Sequence, residues 1–169
     1  MTGHVFGLEE LDKALDAGMD ELAHMLMSPE RIPEATLGRM VDRGMTVVPT
    51  LSVRFGADRE TAVENLERLR AAGGRVVYGT DLGNEGPEPG IDRREIAALA
   101  DAGMSGPEII ASATVDSAAY LGLGDRGVIE EGMRADLVAV SGDPLADPAA
   151  LHDVRMVWRA GRWVVGPTP

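Results

Sequence analysis

Apolar positions recur along this chain at two spacings, and the switches between them mark its elements. Leu8, Leu11, Ala14 and Leu15 fall at i, i+3, i+6 and i+7. They predict a helix that opens at Gly7-Leu8-Glu9-Glu10 and stops at Gly18, where a left-handed glycine cap belongs. Met19 to His24 then reads as a short strand. Ser28-Pro29-Glu30 has the form of an N-cap with proline in the first helical position. It leads to a helix over Ile32 to Arg43, with Leu37, Met40 and Val41 on one side and Gly44 as its stop. Met45 to Thr50 is the next strand, closed by Pro49. Asp58 to Ala72 repeats the helical period through Ala62, Val63, Leu66 and Leu69, with Glu64, Glu67 and Arg68 outward. Gly73-Gly74 ends it. Arg75 to Asp81 follows as an apolar strand that finishes in a carboxylate.

Three successive helix–strand units, each joined by glycine, predict an α/β fold with a parallel sheet and helices outside. Right-handed crossovers make a barrel or a doubly wound sheet the natural closure. The middle is helical: Ile91 to Ala102, with Ile91, Ile96, Ala97, Leu99 and Ala100 as its apolar positions; then Glu108 to about Ala113 behind Ser105-Gly106-Pro107; then Val115 to Leu121. From Gly124 the pattern changes. Ala135 to Val140 is a strand, Val154 to Trp158 alternates, Ala160-Gly161-Arg162 is a tight hairpin turn, and Trp163-Val164-Val165 returns. The tail from Gly166 to Pro169 is expected to fray. The division that follows is an α/β part over 1–123 and a small antiparallel β part over 124–169.

Composition narrows the chemistry. The 169 residues are 44% hydrophobic and 26% charged, which suits a globular chain with a real core. Aromatics at 4% leave that core to aliphatic side chains, and methionines such as Met19, Met25, Met40 and Met45 read as filler within it. A net charge of −12 points away from nucleic acid and anionic membranes. No apolar run approaches the roughly 18 residues of a membrane span. The first residues lack the basic and apolar regions of a signal peptide, so the expected setting is cytoplasmic. With no cysteine, any metal must be held by His, Asp or Glu, a donor set of catalytic rather than structural sites.

His4 and His24 each stand at the C-terminal end of a presumed strand, although only three residues precede His4, too few for a complete one. Asp81 ends a third strand. In a parallel barrel all such ends meet at one rim. Two imidazoles and a carboxylate there form a sensible ligand set for a divalent cation such as Zn²⁺, and a carboxylate beside it can take a proton from water. The bland alternative for each is a surface or core residue. His152 has no such company and reads as surface. Asn84-Glu85-Gly86-Pro87-Glu88 reads as a solvated acidic loop, with a substrate-facing loop as the alternative.

Taken together, the motifs resemble the C-terminal half of the metal-dependent amidohydrolase superfamily, in its imidazolonepropionase-like and prolidase-like branch. Gly3 to Gly7 and Ala17 to His24 resemble its fifth and sixth barrel strands, each ending in a metal-site histidine. Val47-Val48-Pro49-Thr50-Leu51 resembles the seventh strand, and Tyr78-Gly79-Thr80-Asp81 the eighth with its aspartate. Ala102 to Leu123 resembles the helical run after the barrel. Gly127 to Val138 and Gly142-Asp143-Pro144-Leu145 resemble the return into its β-sandwich.

The resemblance implies strands five to eight of a (β/α)₈ barrel, followed by the C-terminal strands of a small β-sandwich. It implies cleavage of a C–N bond in a small-molecule substrate by metal-activated water. His4, His24 and Asp81 would hold one or two divalent ions, zinc by expectation, and Asp81 would relay the proton. The family's first strand carries a His-x-His pair, and its fourth often a bridging lysine or glutamate. This sequence has no His-x-His and nothing ahead of Met1 to supply strands one to four. The expectation is a C-terminal segment, inactive alone, whose partner is the missing N-terminal half. The alternatives are a homodimer of half-barrels with a reduced metal site, or a non-catalytic binding or scaffold module.

Overall fold

The computed structural model describes residues 1–54 and 56–166. The tail expected to fray lies, from Pro167 on, outside the described residues. The chain divides into two compact units, Met1 to Gly103 and from Met104 onward.

The first unit holds β1 (Thr2–Gly3), α1 (Leu8–Asp16), β2 (Glu21–Leu22), α2 (Glu34–Asp42), β3 (Thr46–Val47), a 3₁₀ turn (Leu51–Val53), α3 (Gly56–Ala71), β4 (Arg75–Val76) and α4 (Arg93–Asp101). The four strands run parallel in the order β1-β2-β3-β4, in register Gly3–Leu22–Val47–Val76. That is the α/β, parallel arrangement the periodicity predicts. The strands are shorter than expected, two residues each, with single backbone bonds continuing them: Ala23 N–H to Gly3 O at 2.9 Å, Val48 N–H to Leu22 O at 3.0 Å and Val77 N–H to Val47 O at 3.0 Å. Pro49 has no N–H to extend the ladder, and Thr50 turns into the left-handed region at φ 47. Beyond Val77 the close approach of Gly79 takes over, where a Cβ would sit 2.3 Å from Val48 Cγ1.

The glycine stops work as the sequence implies. After α1 the Gly18 N–H bonds Leu15 O at 3.1 Å and the Met19 N–H bonds Ala14 O at 3.0 Å, the paired bonds of a Schellman motif. Gly44 with Met45, and Gly73 with Gly74, repeat the pair after α2 and α3. Each helix therefore hands over to its strand within three or four residues. Leu11, Leu15, Leu22, Leu37, Met40, Val47, Leu66, Leu69 and Leu99 fill the space between sheet and helices, all fully buried. Met25 and Met45 are in this core as expected, whereas Met19 is half-buried.

Two helix expectations need correction. Ser28-Pro29 does not start α2: the helix begins at Glu34, with Pro33 as its N-cap. The cause is Asn65, fully buried on α3. Its Oδ1 accepts the Ile32 N–H at 2.8 Å, and its Nδ2 donates to Glu30 O at 2.8 Å, holding 30–32 extended. In α4, Ala97 and Ala100 are exposed and Glu95 takes the inward position instead, fully buried beside Ile96, Ala98 and Leu99.

The second unit holds α5 (Gly106–Ala113), α6 (Val115–Tyr120), β5 (Leu137–Val140), a 3₁₀ turn (Pro148–His152), β6 (Val154–Arg159) and β7 (Arg162–Val165). Ser105 and Glu108 close a capping box at α5, with Ser105 N–H to Glu108 Oε2 at 2.8 Å. The antiparallel sheet has the order β5-β6-β7. Its hairpin turns through Ala160 (φ 51) and Gly161 (φ 74), the two positive φ values of a type I′ turn. Asp136 Oδ1 accepts the Ala160 N–H at 2.7 Å and pins the turn.

Replacing Asn65 by alanine strands the Ile32 amide and the Glu30 carbonyl together, and urea denaturation is expected to show a loss of about 2 kcal/mol or more. Conversely, Ala160→Asn relieves a left-handed alanine and is expected to raise stability by about 1 kcal/mol in the same assay.

Candidate functional site

The parallel ladder carries four strand ends to one side of the first unit. There an open cleft of about 340 Å³ is lined by His4 and His24, by Thr50 and Val53, and by Asp81. Met27, Asn84 and Glu85 complete its wall. The three residues singled out in the sequence thus share one cavity. His152 does not join them. It is half-buried at the end of the Pro148–His152 turn in the second unit, less exposed than a surface reading expects.

His4 follows β1 directly and is exposed, whereas His24 is 2% exposed. Their rings meet edge to face with centroids 4.2 Å apart, and His24 Nε2 lies 2.7 Å from His4 Nδ1. Protonation follows from the partners. Met25 O, 2.7 Å from His24 Nδ1, can only accept, so Nδ1 carries the hydrogen and Nε2 offers its lone pair. Arg54 Nη2, at 3.4 Å from the same Nδ1, is a neighbour rather than a partner. It donates instead to Met25 O, and to Met27 Sδ at 3.1 Å. Burial lowers the His24 pKa, the nearby His4 and Arg54 lower it further, and the Met25 carbonyl and Asp81 oppose them. The ring therefore stays neutral, the form that binds a cation.

Asp81 is exposed and left-handed at φ 56, and Thr50 beside it in the cleft has φ 47. A β-branched residue in that region is a genuine outlier, and such backbone clusters at functional rims. The acidic loop is not merely solvated: Asn84 and Glu85 face the cleft, while Glu88 anchors the loop's far end through its N–H to Asp92 Oδ2 at 3.0 Å. Asp92 is buried and caps α4, accepting from Arg94 N and Glu95 N at 2.9 Å each. Burial works to raise its pKa, but these backbone donors outweigh it and bring the net shift below the ordinary value. The Tyr78 hydroxyl accepts the Asp92 N–H at 2.9 Å, tying strand end to loop.

A divalent cation is implied by the resemblance, and the donor chemistry fits one in part. His4 Nδ1 and His24 Nε2 face each other, and the backbone bond at His24 Nδ1 is the support a ligating imidazole usually has. Asp81 adds a carboxylate in the same wall. Among the described residues, however, no three His, Asp or Glu side chains are grouped to hold a metal by themselves.

Comparison with known proteins identifies the family of the chain. The amidohydrolase family pattern matches residues 3–164. The chain belongs to the amidohydrolase family. An imidazolonepropionase from Deinococcus deserti is 35% identical over 125 residues, covering 71% of this chain and 30% of that protein. Ochratoxinase from Aspergillus niger is 28% identical over 193 residues, covering 99% of this chain and 38% of that one. Among solved structures, a Xaa-Pro dipeptidase with methionine in its active site superposes with a TM-score of 0.81 at 27% identity, over 98% of this chain and 44% of that one. The chain spans less than half the length of these relatives. The α/β fold is that of amidohydrolases, and the imidazolonepropionase and prolidase-like branch is the one that the motifs pointed to.

Sequence reading missed Glu95. Its position was legible: Asp92, Glu95, Ile96 and Leu99 fall at i, i+3, i+4 and i+7, one face of a helix. The charge concealed it. Burial pushes the Glu95 carboxyl up to about 8, against the lowering hydrogen bonds from Ser52. Between its ordinary 4.5 and about 8 the folded chain keeps a proton that the unfolded chain releases, so stability falls as pH rises through that window. His24 acts in the opposite sense: its lowered value costs stability as pH drops below 6.5. From 6.5 to about 8 the His24 effect fades while the Glu95 effect persists. Urea midpoints are expected to fall across that interval in the wild type, and the fall is expected to shrink in Glu95→Gln.

Proposed function

We propose that this chain supplies the second half of an amidohydrolase site that cleaves a C–N bond in a small-molecule substrate with water. The observation that supports it best is the facing pair His4 Nδ1 and His24 Nε2, 2.7 Å apart at adjacent strand ends, with Asp81 in the wall of the same cleft. In this reading His4 and His24 hold a divalent cation, zinc by the nitrogen and carboxylate character of the donors, and Asp81 shares in holding it. Such an ion, when bound, polarises a carbonyl and acidifies water. Asp81 accepts the proton of the attacking water and passes it to the leaving nitrogen, so that the amine departs neutral. His24, fixed by Met25 O, keeps its lone pair toward the cleft throughout. Met27 and Val53 offer an apolar wall to the part of the substrate away from the scissile bond.

The reading extends to the rest of the molecule. Residues 1–123 correspond to strands five to eight of a (β/α)₈ barrel with their helices, and 124–169 to part of a β-sandwich. The remaining ligands come from an N-terminal half, and the chain alone is inactive. The open sheet order β1-β2-β3-β4 favours one second reading, in which another copy of this chain lies along β1 and β4.

Calorimetric titration with Zn²⁺ tests the site. The wild type is expected to bind, while His24→Ala and Asp81→Asn each lose more than about tenfold in affinity, the size usual even for a ligand's supporting partner. No uptake by the wild type would sink the proposal. The zinc-loaded chain is expected to show no enzyme-like amide or lactam hydrolysis by itself; turnover would overturn the half-site reading. Sedimentation of a monomer would exclude the second copy.

A further inference from the structure

We propose that Glu95 is a positioning residue for this rim: through Ser52 it fixes the turn after Thr50 against the strand end that carries Asp81. The inference rests on the reading of His4, His24 and Asp81 as a cation site.

The starting point is a carboxyl where the fold has every reason to place a hydrocarbon. Glu95 is fully buried on α4, on the same face as Ile96 and Leu99. Burying such a group without partners is expensive, so its acceptor function must be used. It is used at the turn: Oε2 accepts the Ser52 N–H at 2.7 Å, across 43 positions of sequence, and the Ser52 side chain and the Leu51 N–H also act on the carboxyl and lower its pKa. Among the described residues, Glu95 Oε1 has no hydrogen-bond partner.

Ser52 lies in the 3₁₀ turn Leu51–Val53, whose first N–H groups have no partner within the turn. The residue placed to cap them is Thr50, and hydroxyl residues are the usual caps. Yet Thr50 makes no capping bond, and its Oγ1 has no hydrogen-bond partner among the described residues. Its left-handed backbone, φ 47 and ψ 45, turns the side chain away from that duty. Glu95 therefore does from a distant helix what Thr50 does not do locally. Thr50 is left free to stand in the cleft wall.

The tether continues to the opposite strand end. Ser52 is 2% exposed, and its Oγ donates to Thr80 O at 3.3 Å. Thr80 immediately precedes Asp81. One chain of contacts, from buried Glu95 and Ser52 to half-buried Thr80, thus connects α4, the turn behind Thr50 and the residue before Asp81. Thr50, Val53 and Asp81, the neighbours of that chain in sequence, line the cleft. Neutral Glu95 at ordinary pH needs only its oxygen for this, which a glutamine side chain also presents.

Cobalt(II) serves as a spectroscopic probe of the site, read by its visible absorption on titration into the whole chain, with amide hydrogen exchange at Ser52 as a metal-free readout. Glu95→Ala and Ser52→Ala are expected to weaken cobalt binding by about tenfold or more, Glu95→Gln to stay within about threefold of wild type, and Leu99→Ala, an equally buried neighbour on α4, to destabilise the fold with cobalt affinity unchanged. Glu95→Ala is also expected to speed Ser52 exchange, and Glu95→Gln to preserve its protection. Wild-type affinity in Glu95→Ala, or an equal loss in Leu99→Ala, would overturn the positioning role alone. If Glu95→Ala does not fold, Ser52→Ala decides, since wild-type cobalt binding there removes the link to Asp81. Failure of the wild type to bind cobalt at all would overturn the cation site and this role with it.

Discussion

The parallel backbone ladder Gly3–Leu22–Val47–Val76 is the constraint on which the first unit depends. Parallel pairing sends every strand the same way, so the residues that follow the strands collect on one side whatever their distance in sequence. His4, His24, Thr50 and Asp81 span 78 positions in the chain and line one cleft for that reason. The ladder is short because its ends are spent on other things: Pro49 interrupts it, Gly79 brings two strands together, and Thr50 and Asp81 leave the extended region altogether. The same few residues that stop the sheet form the rim.

Two kinds of support hold that rim. One is local and made by backbone, as where Met25 O fixes the His24 ring and Asp92 caps α4 with the help of the Tyr78 hydroxyl. The other is remote and made by buried polar side chains. Asn65 holds 30–32 extended between α1 and α2, and Glu95 satisfies the Ser52 amide. Both sit among leucines on their helices, at positions where an apolar residue would pack as well and bond nothing. Their presence shows where the core gives up hydrocarbon contact to hold irregular backbone in place.

This division explains what could be read from the sequence. The helix–strand alternation, the glycine stops, the Ala160-Gly161 turn and the gathering of His4, His24 and Asp81 in one cleft were legible, because each is written in local order: a period, a cap, a residue type at a strand end. The start of α2 was not. Ser28-Pro29 carries a sound local signal, and it loses to two hydrogen bonds from Asn65, more than thirty residues away. Glu95 was hidden for a related reason. A glutamate on a helix reads as solvated, and only its contact with Ser52 shows otherwise. The cleft-facing role of Asn84 and Glu85 likewise depends on where Asp92 and Tyr78 anchor the loop.

The paired bonds at Gly18, Gly44 and Gly73 have a mechanical side. Each helix passes into its strand with no slack between them, and each strand is only a few residues long at about 3.3 Å per residue. A helix cannot slide along the sheet without drawing its own strand end with it. His24, two residues beyond β2, thus stands at the end of a segment that the Gly18 and Met19 bonds fasten directly to α1.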